Sequence, residues 1–108
     1  MLNQIILVGR IVEVPKLDKT ENGNSITKLK IEIDRNFRNA EGIYEEDLIE
    51  VTLWKGIAES VTHLAKVGSL VAVKGRIQTH SYTKNKKTYL NYEIIAEKVI
   101  FLTGKETE

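Results

Sequence analysis

Between Ser60 and Tyr92 the chain carries no aspartate or glutamate, yet it holds six cationic side chains there: Lys66, Lys74, Arg76, Lys84, Lys86 and Lys87. The 108-residue chain as a whole has a formal charge of only +1. Positive charge without offsetting carboxylates is therefore concentrated in this stretch, in the company of Tyr82 and Tyr89. Lysine and arginine neutralise an anionic polymer, and aromatic rings offer flat faces on which its bases stack. A single-stranded nucleic acid is the partner that uses both.

Other chemistries are poorly represented. His63 and His80 have no neighbouring cysteine and no metal-ligand spacing, and no Walker loop or nucleophile elbow is present. The lack of cysteine removes disulfides, thiolate catalysis and cysteine-ligated zinc together. Glu45, Glu46 and Asp47 read as a solvated loop. The expectation is a binding protein and not an enzyme, with no cofactor, metal or catalytic residue. No apolar run reaches the roughly 18 residues of a membrane helix, and the Met1-Leu2-Asn3-Gln4 start lacks the basic lead of a secretory signal. A cytoplasmic, nucleoid-associated protein without a membrane partner is expected.

The elements that must position these residues follow from periodicity. Leu2 to Val14 is apolar on both faces near Ile5–Val8, which suits a central barrel strand or a subunit interface. An Asn22-Gly23 turn leads to a second strand, in which Thr27, Leu29, Ile31 and Ile33 alternate with Lys28, Lys30, Glu32 and Asp34. A polar loop, Asn36–Glu46, is predicted before a third strand at Asp47–Trp54. The one helix places Ile57, Val61 and Leu64 on a single face, with Gly68 as its left-handed stop. Strands at Ser69–Tyr82 and Thr88–Leu102 follow, joined by a Lys84–Lys87 tip. The sum is an all-β chain: an OB-fold, a five-stranded Greek-key barrel with one short helix between the third and fourth strands, with an α+β sandwich as the competing architecture.

Alternation then sorts the faces. Leu48, Glu50, Thr52 and Trp54 oppose Ile49, Val51 and Leu53, so Trp54 either stacks ligand from a wet face or caps the core at its rim. Tyr82 shares its parity with Lys74, Arg76, Gln78 and His80, unless a bulge at Gly75 reverses the register. Leu90, Tyr92 and Ile94 read as a core face, with Tyr92 inside. Phe37 lies between Arg35 and Arg38, at the mouth of the predicted loop. The hairpin lysines either grip phosphate or keep a loop tip solvated.

Several segments are family-like. Ile6-Leu7-Val8-Gly9-Arg10, Asp34-Arg35-Asn36-Phe37, Thr52-Leu53-Trp54-Lys55, Lys66-Val67-Gly68-Ser69-Leu70 and Gly75-Arg76-Ile77-Gln78-Thr79-His80-Ser81-Tyr82 occur in an order that resembles the bacterial single-stranded DNA-binding proteins. The resemblance runs from Met1 to about Leu102. It implies an OB-fold that wraps single-stranded DNA without reading sequence, usually as a homotetramer, in replication, recombination or repair. Carried over by position, its stacking platforms fall on Phe37, Trp54 and Tyr82. A fourth platform position holds Leu48, which has no π face, so weaker or differently spaced contact is expected there. Arg35, Arg38, Lys55, Lys74, Arg76, Lys84, Lys86 and Lys87 are the candidate phosphate partners. The domain is expected to span residues 1–103, with a short extension at 104–108. That extension is not the acidic recruiting tail many family members carry, although replication or recombination proteins remain candidate partners. The alternative function is an OB module for protein contact in a replication-restart or primosome complex.

Overall fold

The computed structural model describes residues 1–102. In chain order it contains β1 (Ile5–Ile11), β2 (Asp18–Lys19), β3 (Ser25–Arg38), β4 (Tyr44–Trp54), α1 (Lys55–Leu64), β5 (Leu70–Lys84) and β6 (Lys87–Phe101). The strands lie in the order β1-β5-β6-β4-β3-β2, and a further β1–β3 pairing, Arg10 with Glu32 and Ile11 with Ile31, closes the barrel. Among the described residues, only the β4–β6 contact is parallel. The two-residue β2 is a short rung on the edge of β3. The expected boundary at residue 103 and the extension 104–108 lie outside the described residues.

Alternation explains what closes. Leu29, Ile31, Val51, Leu53, Val71 and Val73 are fully buried, and their odd-numbered positions all point into one core. Each such side chain contributes on the order of 1.5–3 kcal/mol on burial. Helix α1 covers one end of the barrel with Ala58 and Val61. It stops at Leu64, and the Ala65 N–H still donates to the Val61 carbonyl. Gly68 is therefore not its stop. With φ at +91° it shapes the turn in which the Ser69 N–H donates to the Lys66 carbonyl.

Gly75 sits where the β5–β6 register shifts. Lys74 pairs with Lys98 and Gly75 with Ala96, so the extra residue is Glu97, on β6. A Cβ at Gly75 would collide with the Ile95 carbonyl oxygen, which is why glycine stands at this close approach. Because the bulge is carried by β6, the alternation of β5 runs through unbroken.

Two hairpins outgrow the barrel. The ladder of β3 and β4 continues to Arg38 opposite Tyr44, with a shift between Asp34 and Arg38, so most of the predicted Asn36–Glu46 loop is strand. Only 39–43 turns, held by the Asn39 side-chain oxygen, which accepts from the N–H groups of Glu41 and Ile43. Its charged residues hide the strand because they alternate between two solvated faces. The β5–β6 ladder likewise runs unbroken from Gly75 to the tip pair Lys84–Lys87. These arms give the molecule its extents of 51 × 43 × 29 Å.

Candidate nucleic-acid interface

The β5–β6 arm is built from its tip inward. Asn85 and Lys86 both take positive φ, 53° and 65°, the pattern of a two-residue hairpin turn whose twist matches the strands. That turn sets the register: Lys84 faces Lys87, Tyr82 faces Tyr89 and His80 faces Asn91. Directly opposed residues share a face. The rings of Tyr82 and Tyr89 accordingly stack, with centroids 5.3 Å apart and planes inclined by 22°. Tyr89 belongs with the candidate platforms although family position does not select it; its signal in the sequence is its place opposite Tyr82 once the tip is located.

The same arm corrects the reading of Tyr92. It is 71% exposed, and Leu90 is exposed beside it. Their parity is that of core residue Ala96, but here the arm has left the barrel core, and Tyr92 lies at the margin of a recess shared with Leu48 and Glu93.

On β4 the even-numbered face holds Leu48, Glu50, Thr52 and Trp54, as alternation requires. Leu48 is 65% exposed, and Trp54 is half-buried where β4 passes into α1. Thr52 is buried because β6 covers it, with Ile95 opposite. Between β4 and β6 lies a recess of about 610 Å³ bounded by Lys28, Leu48, Glu50, Thr52, Asn91 and Glu93, among others. The Thr52 hydroxyl donates to Glu93 Oε2 at 2.6 Å, and His80 Nε2 lies 2.6 Å from Glu93 Oε1. Burial alone would raise the Glu93 carboxyl; the Thr52 and His80 bonds and the Lys28 charge outweigh it and hold the group below its ordinary value.

The β3–β4 arm carries Phe37, 66% exposed, and Arg38, whose guanidinium lies 5.2 Å from the Tyr44 ring centroid. By count along β3, Phe37 has the parity opposite to that of Lys28, in a stretch where the ladder is interrupted. Arg35 is engaged: it donates to both oxygens of Asp47, at 3.1 and 2.9 Å, and to Glu45 at 2.6 Å. Bonding to Arg35 lowers the Asp47 carboxyl and raises the guanidinium further. Arg10 similarly gathers Asp34, Glu32 and Glu46, the shortest contact being 2.8 Å to Asp34. Asp34 is lowered by that bond, whereas Glu46 is raised, first by burial and then by the charge of Glu32. The acidic residues of this region are thus tied to two arginines.

The remaining cations separate into groups. Lys84 and Lys87 flank the tyrosine stack on its own face, with Lys86 in the turn between. Lys55 opens α1 at φ 54°, next to Trp54. Arg76 shares the face of Tyr82, donates to Gln78 Oε1 at 2.8 Å and approaches Glu97 at 3.7 Å. Lys74 lies away from the rings, opposite Ile6 and Lys98, at a shallow apolar depression that also includes Ala72 and Ile100. Leu48 and Trp54 on β4 and Tyr82 on β5, with β6 between the two strands, are therefore outward-facing, while Phe37 and Arg38 stand on the β3–β4 arm. Among the described residues no group of histidine and carboxylate side chains could hold a metal ion, and no helix is long and apolar enough to cross a membrane.

A closed five-stranded barrel with parallel β4–β6 contact, one helix between β4 and β5, and extended hairpins is an OB-fold. The profile of the single-strand binding protein family matches residues 2–102. Single-stranded DNA-binding protein B of Bacillus subtilis is 38% identical over 110 residues, covering 100% of this chain and 96% of that protein. Single-stranded DNA-binding protein 3 of Listeria innocua is 39% identical over 108 residues, covering 98% of this chain and 67% of that one. The crystal structure of the wild-type single-stranded DNA binding protein from Thermus aquaticus matches with a TM-score of 0.81 at 25% identity, over 96% of this chain and 52% of that one. The chain belongs to the single-strand binding protein family.

Proposed function

We propose that the chain binds and protects single-stranded DNA without reading its sequence, in replication, recombination or repair. The observation that carries this reading is the stacked Tyr82–Tyr89 pair with Lys84 and Lys87 on the same face. It supplies ring faces for bases and cations for phosphates on one rigid ladder. The strand runs from this arm over the outward face of β4, past Leu48 toward Trp54. Phe37 and Arg38 extend the contact along the second arm. Lys55, Lys84, Lys86 and Lys87, which form no ion pair among the described residues, are the primary phosphate partners. Arg76 and Lys74 add charge at the flank. Arg35 contributes only after leaving Asp47 and Glu45, so its first role is to hold the arm together.

The mode of action is binding, not catalysis, in the cytoplasm at the nucleoid. Self-association, as a homotetramer, draws support from the outer side of β1, where Ile6 and Val8 are exposed beside Ile100. An apolar strip of this kind is stabilised when a second subunit covers it. Replication or recombination proteins are secondary partners.

Fluorescence anisotropy with a labelled oligonucleotide tests the proposal. The single strand binds tightly, and the same sequence as a duplex binds at least about a hundredfold more weakly because its bases are not free to stack. Equal affinity for both forms contradicts stacking, and affinity for neither transfers the case to a protein-contact module.

A further inference from the structure

Beyond the two residue pairs that join them, Val51 with Ile94 and Thr52 with Ile95, β4 and β6 part: β4 runs out along β3 to Tyr44, and β6 runs out along β5 to Lys87. The wedge between the two arms is the recess of about 610 Å³. Toward the junction it is charged, with the Lys28 ammonium 3.8 Å from an oxygen of Glu50 and of Glu93, one positive charge against two negative. A phosphate is repelled there at neutral pH, so a strand crossing the wedge keeps its backbone at the mouth and turns a base inward. The walls are apolar. Leu48, 65% exposed, forms one and supplies contact without a π face. Tyr92, 71% exposed, stands on the other. Its partner across the β5–β6 ladder is the small residue Thr79, and among the described residues its ring meets no other aromatic and no cation, and its hydroxyl has no hydrogen-bond partner. Tyr82 and Tyr44 differ, since Tyr89 lies against one ring and the Arg38 guanidinium against the other. Tyr92 is thus a large exposed ring that contributes nothing to the core and borders a space fit for a base.

We propose that Tyr92 is a stacking residue for the bound strand: a base enters the wedge between its ring and Leu48, and the ring provides the π face that Leu48 lacks. The proposal rests on the reading that a single strand crosses this side of the barrel. Every base has a π face, so the subsite accepts all of them and adds affinity without selecting sequence. Alternation along β6 assigns Tyr92 to the core side, and only the parting of the arms turns that side into a binding wall.

Anisotropy titrations with oligo(dT) and oligo(dC) test it on Tyr92→Ala, on Tyr92→Phe, and on Tyr92→Ala combined with Leu48→Phe. Tyr92→Ala is expected to raise Kd for both oligonucleotides about tenfold, with the salt dependence unchanged because no phosphate contact is lost. Tyr92→Phe keeps the ring and binds as the unchanged protein does. Leu48→Phe returns a ring to the same wedge from its opposite wall and recovers most of the affinity lost in Tyr92→Ala. A second measurement needs no variant to fold: the unchanged protein, irradiated in complex with an iodouracil-substituted oligonucleotide, should crosslink at Tyr92. Unaltered affinity in Tyr92→Ala, a loss that Leu48→Phe does not recover, or irradiated complexes without a crosslink at Tyr92 overturns the proposal and leaves single-strand binding standing. Failure of the unchanged protein to bind either oligonucleotide overturns both.

Discussion

Replacing Tyr82 by alanine separates the binding face from the barrel. Tyr82 is 48% exposed and already carries Tyr89 on one side of its ring, so one face remains for a base. Stacking of a base on an aromatic side chain contributes roughly 1–3 kcal/mol. With one face occupied, the lower half of that range applies, and Kd for an oligonucleotide rises about tenfold. The structural cost is small, since the pair stands on an arm outside the core and its ring contact contributes ~0.5–1.5 kcal/mol. Anisotropy titration paired with a thermal melt followed by circular dichroism measures both. Tyr82→Phe retains the ring and should bind as the unchanged protein does. An alanine variant with unaltered affinity, or a phenylalanine variant as weak as the alanine one, refutes stacking at this position.

Three further outcomes follow from the same geometry. Replacing Lys84, Lys86 and Lys87 together by alanine should flatten the log–log salt dependence of binding by about 2, at roughly 0.7 per phosphate released; an unchanged slope identifies them as a solvated tip. Leu29→Ala, at a fully buried position, should destabilise the fold by about 2–5 kcal/mol in a urea titration. Because the Glu93 carboxyl lies below its ordinary value of 4.5 when folded, its stabilising contribution is present above about pH 4.5 and is lost as pH falls through the folded value. Unfolding measured across pH should therefore show an advantage over Glu93→Gln that shrinks on acidification, and an advantage that grows would contradict the assignment.

The barrel was legible because burial imposes period two: Val51 and Leu53, or Val71 and Val73, announce a strand and its inner face without coordinates. The arms were not, since period two outside the barrel has no core to report. Tyr92 shows the cost of extending the rule too far, for its parity is inward but its surroundings are water. Arg35 shows a different limit. Its type suggests a phosphate partner, and only the pairing of β3 with β4 reveals Asp47 and Glu45 beside it. Tyr89 needed the hairpin register, which two positive-φ residues at the tip determine. The Thr52–Glu93–His80 network joins residues far apart in the chain, and no local pattern marks it.

The most direct measurement is the emission of Trp54, the sole tryptophan of the chain, during titration with oligo(dT). Stacking of a base on the outward face of β4 predicts strong quenching that saturates together with binding measured by anisotropy. Binding that leaves this emission unchanged would place the strand elsewhere on the barrel and contradict the account.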